Sequence, residues 1–256
     1  MTVQRLKLAF RDPRLALASR AVACAALIAI AVEGGLRPVP TLVALVGTRL
    51  LSGRSGGARA LRTTNVAWVL AAATLLLGNL LSGGYARSLL YGGASALWYV
   101  LMGIRGLVLI RRVEWSYTVR LFVSYFVGTV FFSVSAAHAL AVALAAFAAL
   151  YLAWEEFFRD LFSTDGAGGR GDVRASLARG IAGVLALITL EALWVTSFLP
   201  FGVMRASLFA FLVLFGASML LFQYIDRRLS QRRLLSMITF FTLATIVLFS
   251  GITWTR

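Results

Sequence analysis

The sequence predicts an all-α, polytopic membrane protein with about nine transmembrane helices. Three observations support this class. First, 60% of the 256 residues are hydrophobic and only 14% are charged, which gives a mean hydropathy of +0.87. Second, uncharged apolar runs repeat along the chain, and several are long enough to cross the roughly 30 Å of a bilayer's hydrocarbon core. Third, basic residues gather in every second gap between these runs, as the positive-inside rule describes.

Nine apolar runs define the predicted spans, and all four prolines lie at span boundaries. In chain order the spans cover 15–32, 39–51, 66–81, 89–110, 119–137, 139–154, 181–199, 206–225 and 234–254. The second span is short, because about thirteen residues at a rise of about 1.5 Å cover only about 20 Å of the core. It could be tilted, re-entrant or half-crossing.

The distribution of arginine and lysine predicts the orientation. With the N-terminus inside, the inner segments hold twenty basic residues and the outer segments hold four, which are Arg37, Arg87, Arg205 and Arg256. If the second segment did not return the chain to the inner side, every later loop would invert and the bias would reverse. The first two segments therefore cross together, or neither crosses and seven spans remain. Both cases place the N-terminus inside and the C-terminus outside, and we predict the cytoplasmic (inner) membrane of a prokaryote.

Aromatic and small residues add detail to this topology. Residues that fit an aromatic belt at the membrane interfaces are Trp154 and Tyr224 at inner ends and Trp194 and Trp254 at outer ends. Small residues one helical turn apart, such as Gly92 and Ala96, allow close helix packing. We expect packing, not chemistry, from these pairs.

The longest loop, 155–179, divides the chain. It separates a six-span bundle with a basic N-terminal segment (1–154) from a three-span unit (180–256), and we expect both to form one integrated membrane domain. Glycine-rich sequence within the loop is typical of a flexible cytoplasmic linker. Asp165, Gly166 and Arg170 resemble the opening of the metal-binding motif of CDP-alcohol phosphatidyltransferases, but the further aspartates of that motif are missing.

One acidic residue lies inside a predicted span. Glu191 is about 18 Å along the helix from Arg179, past the bilayer midplane and among apolar neighbours. A charge at such depth costs about 3 kcal/mol, so it usually faces a partner, a cavity or a pathway. The functional interpretation is a proton or cation site. The structural interpretation is a carboxyl bonded to Thr189 or paired with Arg205 or Arg87.

Arginines near the inner ends of spans are candidates for anionic lipid headgroups. Arg105 lies five residues from the end of the fourth span and can extend to the inner surface. The others flank the tight turn between the last two spans and are Arg227, Arg228, Arg232 and Arg233. The basic residues lie beside apolar spans instead of forming one stripe, so we predict lipid binding and no nucleic-acid partner.

No catalytic, metal or nucleotide signature is present, so we predict no metal and no cofactor and lean against an enzyme. The chain has one cysteine, Cys24, and one histidine, His138, which lies in a predicted turn. Three function classes stay open. We favour a non-enzymatic membrane subunit or scaffold that docks other membrane subunits. The alternatives are a small proton- or cation-coupled transporter or channel that uses Glu191, and a lipid-modifying enzyme at the inner face.

Overall fold

The computed structural model describes residues 13–35, 37–53, 64–105, 112–134, 139–164, 171–225 and 230–250. These residues form nine α-helices and no strand, which confirms the all-helical prediction. In chain order the helices are α1 (Pro13–Glu33), α2 (Pro38–Gly53), α3 (Thr64–Leu80), α4 (Gly84–Arg105), α5 (Arg112–Ser133), α6 (Ala139–Thr164), α7 (Gly171–Ser197), α8 (Val203–Ile225) and α9 (Gln231–Ser250).

Five of the described helices are long and apolar enough to cross a membrane. These are α1, α6, α7, α8 and α9, whose apolar segments run over Arg14–Glu33, Ala139–Phe162, Ala175–Ser197, Val203–Tyr224 and Gln231–Ser250. Helices α2 and α3 are apolar but shorter. Such helices support a membrane protein. The number of crossings beyond these five, and their orientation, stay predictions.

The chain forms two compact units, Met1–Val123 and Ser124–Arg256, which join within α5. The division predicted from the sequence, at 155–179, stays a prediction. Helix α6 extends into this segment and ends at Thr164, and helix α7 begins within it at Gly171. Both helical parts of the segment, 155–164 and 171–179, therefore form their backbone hydrogen bonds within a helix. The middle of the segment, 165–170, lies outside the described residues, as does His138.

In the first unit, α1 packs against α2, α3 and α4. Side chains of α1 and α4 lie close to the backbone of α3 at Gly78. A Cβ atom at Gly78 would lie 2.9 Å from Val32 Cγ2 and 3.1 Å from the Tyr91 hydroxyl. By contrast, the Cβ position of Gly92 has no atom within 4 Å, and both Gly92 and Ala96 are exposed. The close packing therefore occurs at a glycine that the small-residue pairs did not single out.

In the second unit, the helices from α6 to α9 pack in chain order, and α6 packs most extensively against α7. The facing surfaces are rich in buried alanine, including Ala143 and Ala146 of α6 and Ala182 and Ala186 of α7. Small side chains let two helix backbones approach closely, which replaces the hydrophobic driving force that is weak between helices in lipid. The alanine-rich run of α6 thus positions α7.

Trp154 of α6 belongs to this core, although its position at a predicted inner end suggested an interfacial aromatic belt. Its side chain is fully buried, and the indole Nε1 donates a hydrogen bond to the Ser124 hydroxyl at 3.3 Å. The indole ring also packs against Phe157 and Phe158. A tryptophan at a helix end can face protein as well as lipid, and the hydroxyl of Ser124 accepts its buried N–H.

Aromatic side chains of α9 pack against α8 and against the turn that precedes α8. Phe249 contacts Phe201 and Phe209, with ring centroids 5.0 and 5.8 Å apart. Near the other end of α9, Phe241 packs against the bare backbone of Gly216. Met237 is the one residue of α9 that is buried. Its remaining apolar surface faces away from the unit, as expected of a helix against lipid.

Candidate functional site

Helix α7 has two faces that differ in burial. The buried face packs against the neighbouring helices and includes Leu185, Thr189 and Leu193. The opposite face is exposed, and its large apolar side chains at helical spacing are Val184, Leu187, Ile188, Trp194, Val195 and Phe198. Residues three and four apart share a helix face, so these side chains form one stripe, which we call the α7 stripe.

Glu191 lies in the middle of the α7 stripe. It is exposed, and its nearest neighbours on the same face, Leu187, Trp194 and Val195, are exposed apolar residues. The aromatic ring of Trp194 packs edge-on against that of Phe198 at the end of the helix. The carboxyl is therefore presented on an otherwise apolar surface that would contact lipid or another chain.

Within the described part of the chain, no hydrogen bond or ion pair joins Glu191 to another residue. The three partners considered for it are placed as follows. Thr189 is on the buried face, and its hydroxyl donates to the Leu185 carbonyl at 2.7 Å. Arg87 donates to Glu33 at 3.1 Å and to the Leu81 carbonyl at 2.8 Å. Arg205 is exposed in the first turn of α8.

A groove of about 830 Å³ runs between α7 and α8, next to the α7 stripe. Seven residues of α7 between Ser176 and Ile188 line it, together with Ala217 and Leu221 of α8. The lining is almost entirely apolar, and its volume is within the roughly 300–1,000 Å³ of ligand-binding pockets. The groove shares Val184 and Ile188 with the stripe and ends one turn before Glu191.

The lipid-headgroup candidates fall into two groups. Arg232 and Arg233 are exposed in the first turn of α9, where the Arg233 amide donates to the Ser230 hydroxyl at 3.4 Å. Ser230 therefore caps the helix and fixes where it begins. Arg105 is the last residue of α4, and its side chain lies outside the described structure, as do Arg227 and Arg228.

Sequence reasoning missed two buried charged residues. Arg120 of α5 was counted among the basic residues that flank spans, yet its side chain is fully buried. Its guanidinium donates to the Ser116 carbonyl at 3.1 Å and also to the Ser116 hydroxyl. Glu156 of α6 is only 5% exposed. The available signal was position in the sequence. Arg120 is the second residue of the predicted span 119–137, and Glu156 directly follows another acidic residue in an apolar run.

An ion pair between two helix ends was also missed. Glu33 ends α1, and Arg87 near the start of α4 pairs with it while donating to the carbonyl of Leu81, just after α3. This one guanidinium therefore ties together the ends of three helices. Neither residue stood out in the sequence as a partner of the other, because 54 positions separate them.

The described residues contain no group of three histidine, cysteine, aspartate or glutamate side chains that could hold a metal ion. The most distinctive chemistry of the described surface is thus the carboxyl of Glu191 on the α7 stripe and the apolar groove beside it. No protein-family model, curated protein or solved structure matches this chain.

Proposed function

We propose that this chain is a non-enzymatic, multi-pass subunit of the cytoplasmic membrane, with its N-terminus inside and its C-terminus outside. Its α7 stripe docks a transmembrane helix of a different membrane protein. The observation that carries the proposal is the exposed carboxyl of Glu191 on an apolar surface. The excess of basic residues in alternate loops supports the orientation.

The chemistry of Glu191 specifies the partner. A carboxylate facing hydrocarbon costs about 3 kcal/mol on insertion scales, so the membrane favours a state in which a donor covers it. We infer a partner helix that presents a lysine, arginine or amide side chain at the depth of Glu191. A second copy docked on the same face would bring two like-charged carboxylates together and supply no donor to either. This repulsion favours a different protein over a homodimer.

Transport through Glu191 is the alternative, and the hydroxyl groups of the chain give it less support. Hydroxyl-bearing residues within the predicted spans could contribute to a transport path, among them Thr74, Ser133 and Thr189. Each donates to a carbonyl of its own helix, at 2.7 Å in all three cases. Such a hydroxyl already donates its proton to a carbonyl of its own helix. It is therefore less available to interact with an ion that moves along a path.

An enzyme at the inner face is the weaker alternative. It would use Glu155 and Glu156 near the inner end of α6. Glu155 pairs with Arg159 one turn along the same helix, and Glu156 is buried. A carboxyl that is paired or buried in the helix bundle is poorly placed for a lipid substrate.

Co-purification from native membranes tests the proposal. Tagged native chain is compared with Glu191→Leu, which removes the carboxyl, and with Glu191→Asp, which keeps it. We expect one membrane protein to be retained by the native and Asp chains and lost several-fold with Leu. The retained protein must also carry a donor side chain within a transmembrane helix. Equal recovery with all three chains would contradict docking through Glu191.

Proton and cation flux in proteoliposomes separates the transport alternative. The native chain and Glu191→Gln are compared at matched incorporation. We expect no flux above that of empty vesicles from either chain. Flux that the substitution abolishes would overturn the subunit proposal in favour of transport.

A further inference from the structure

An arginine and a tryptophan meet where α2 ends and α3 begins. The guanidinium carbon of Arg49 lies over the indole ring of Trp68, 5.9 Å from the ring centroid. Arg49 is exposed and Trp68 is half-buried, so the pair is at the surface of the first unit. The attraction between a cation and a ring needs no acceptor atom, and a guanidinium has five N–H donors. The ring therefore positions the charge while the guanidinium keeps donor capacity for an anion.

The helix that carries Arg49 is anchored just before it. A Cβ atom at Gly47 would lie 2.7 Å from Leu27 Cδ1 of α1, so α2 packs closely on α1 at this point. The next residue, Thr48, is buried, and its hydroxyl donates to the Leu45 carbonyl at 2.9 Å. Arg49 follows on an exposed side of the same turn. A guanidinium held in this way loses less side-chain freedom when it binds a ligand.

The sequence around the pair is strongly basic. No acidic residue occurs between Glu33 and Glu114, and the same stretch contains nine arginines. A phosphate group complements such charge and matches the donor geometry of a guanidinium. Arg49 is two residues from the end of the predicted span 39–51, which places it at the membrane interface. The phosphates available at that depth belong to lipids.

Apolar surface continues from the pair along both helices. Exposed apolar residues lie three or four positions from one to the next on the faces that carry Arg49 and Trp68. They are Leu42 and Val46 of α2 and Ala72 and Leu76 of α3. At about 1.5 Å per residue these runs extend about 10 Å and about 12 Å from the pair, within a leaflet of about 15 Å. An acyl chain attached to a phosphate at Arg49 would therefore meet apolar side chains.

We propose that the Arg49–Trp68 pair binds the phosphate of an anionic phospholipid, with an acyl chain of that lipid along Val46 and Ala72. Arg49 donates to the phosphate, and the indole ring keeps the guanidinium in place. In the proposed topology the site opens to the inner leaflet, because α2 ends on that side. The site belongs to the first unit and Glu191 to the second, so this proposal and the docking proposal fail independently.

Photolabelling with a lipid tests this site. Purified chain in detergent receives near-equimolar phosphatidylglycerol that carries a diazirine in its acyl chain, and the labelled peptides are mapped by mass spectrometry. We expect labelling of 42–50 and 68–76 to be several-fold stronger than labelling of the exposed face of α9. Unlabelled phosphatidylglycerol should compete several-fold better than phosphatidylcholine. Glycerol phosphate at the same concentration should not compete, because it has no acyl chain.

Substitutions separate a fixed site from a general attraction to positive charge. Arg49→Gln should lower the labelling several-fold and remove the preference for phosphatidylglycerol. Arg37→Gln is the matched control, since Arg37 is an exposed arginine beside the other end of α2, and it should leave the labelling unchanged. Trp68→Leu keeps every charge but removes the ring, so it should also lower the labelling several-fold. Trp68→Tyr keeps an aromatic face and should retain most of the labelling.

Four results would overturn the proposal. The first is an equal loss of labelling with Arg49→Gln and Arg37→Gln, because net charge alone would then explain it. The second is labelling at 42–50 and 68–76 that Trp68→Leu leaves unchanged, or that is no stronger than on α9. The third is competition by glycerol phosphate as strong as that by phosphatidylglycerol, because the site would then bind a soluble anion. The fourth is a co-purified protein that protects these segments from the label.

Discussion

Thr189 and Glu191 lie two residues apart on α7 and face opposite sides of the helix. The Thr189 hydroxyl is buried and donates to the Leu185 carbonyl at 2.7 Å, whereas Glu191 is exposed among apolar side chains. The threonine is therefore part of the bundle, and the carboxyl is presented to whatever surrounds the chain. This relationship is the basis of the docking proposal.

The same substitution at these two positions should have different effects on stability. Glu191→Leu should leave the thermal unfolding temperature of the isolated chain unchanged or raise it, because no described residue forms a hydrogen bond or ion pair with the carboxyl. Thr189→Leu should lower the stability by about 1–3 kcal/mol, because it overpacks a buried site. Tryptophan fluorescence during heating in detergent measures both. A large loss with Glu191→Leu would mean that the carboxyl stabilises the chain itself.

Gly78 should not tolerate a side chain. In Gly78→Ala the new methyl group would meet Val32 at 2.9 Å and the Tyr91 hydroxyl at 3.1 Å. We expect a loss of about 1–3 kcal/mol, because a β-branched residue and a ring cannot easily move away. Gly92→Ala is the control, since its methyl group meets open space, and it should be neutral or stabilising by up to about 1 kcal/mol. Equal unfolding temperatures for the two variants would contradict the helix packing at Gly78.

Arg87 should contribute more to stability than its ion-pair partner. Glu33 is 64% exposed, so Glu33→Ala should cost no more than about 1 kcal/mol. Arg87→Ala also removes the hydrogen bond to the Leu81 carbonyl, and we expect a larger loss. High salt should weaken only the ion pair and so reduce the effect of Glu33→Ala. Melting curves at low and high salt check this, and equal losses for both variants would rule out the carbonyl bond as a contributor.

The proposed orientation can be tested with single cysteines. The native Cys24 is fully buried, so a membrane-impermeant maleimide should leave the native chain unlabelled. Ser82 and Ser230 are both exposed, and they precede α4 and α9. Ser82→Cys should react in intact cells, and Ser230→Cys only after permeabilisation. The opposite pattern would invert the topology, and labelling of both sites in intact cells would contradict the span count between them.

The helices could be predicted from the sequence, because apolar runs and charged gaps report directly on the solvent that surrounds each segment. Each of the nine predicted spans overlaps a described helix, although several bounds differ by five residues or more, and the number of membrane crossings stays a prediction. The rotation of each helix about its own axis could not be predicted. Lipid and the protein interior are equally apolar, so the lipid-facing and protein-facing sides of a span have similar residue composition. Trp154 and Trp194 illustrate this, since one is fully buried and the other is 45% exposed.

The candidate site was predictable only in part. Glu191 stands out in the sequence as a charge within a span, but its exposure depends on which face of α7 meets α6 and α8. The groove beside it depends on Gly180 and Ala217, and no local pattern distinguishes these small residues from Gly92 or Ala96. The burial of the Arg120 side chain could not be predicted either, because it is determined by the neighbouring helices and not by the residues beside Arg120 in the chain.

Site-specific photo-cross-linking from the α7 stripe tests the central claim most directly. A photoreactive residue replaces Val195, one turn from Glu191, or Ile246 on α9, which is exposed to a similar degree and has no acidic neighbour. We predict that Val195 cross-links in native membranes to a transmembrane helix of another protein with a donor side chain, and that Glu191→Leu abolishes the product. The Ile246 control should not give it. Cross-linking from Val195 to lipid alone, or to the same protein after Glu191→Leu, would contradict the account.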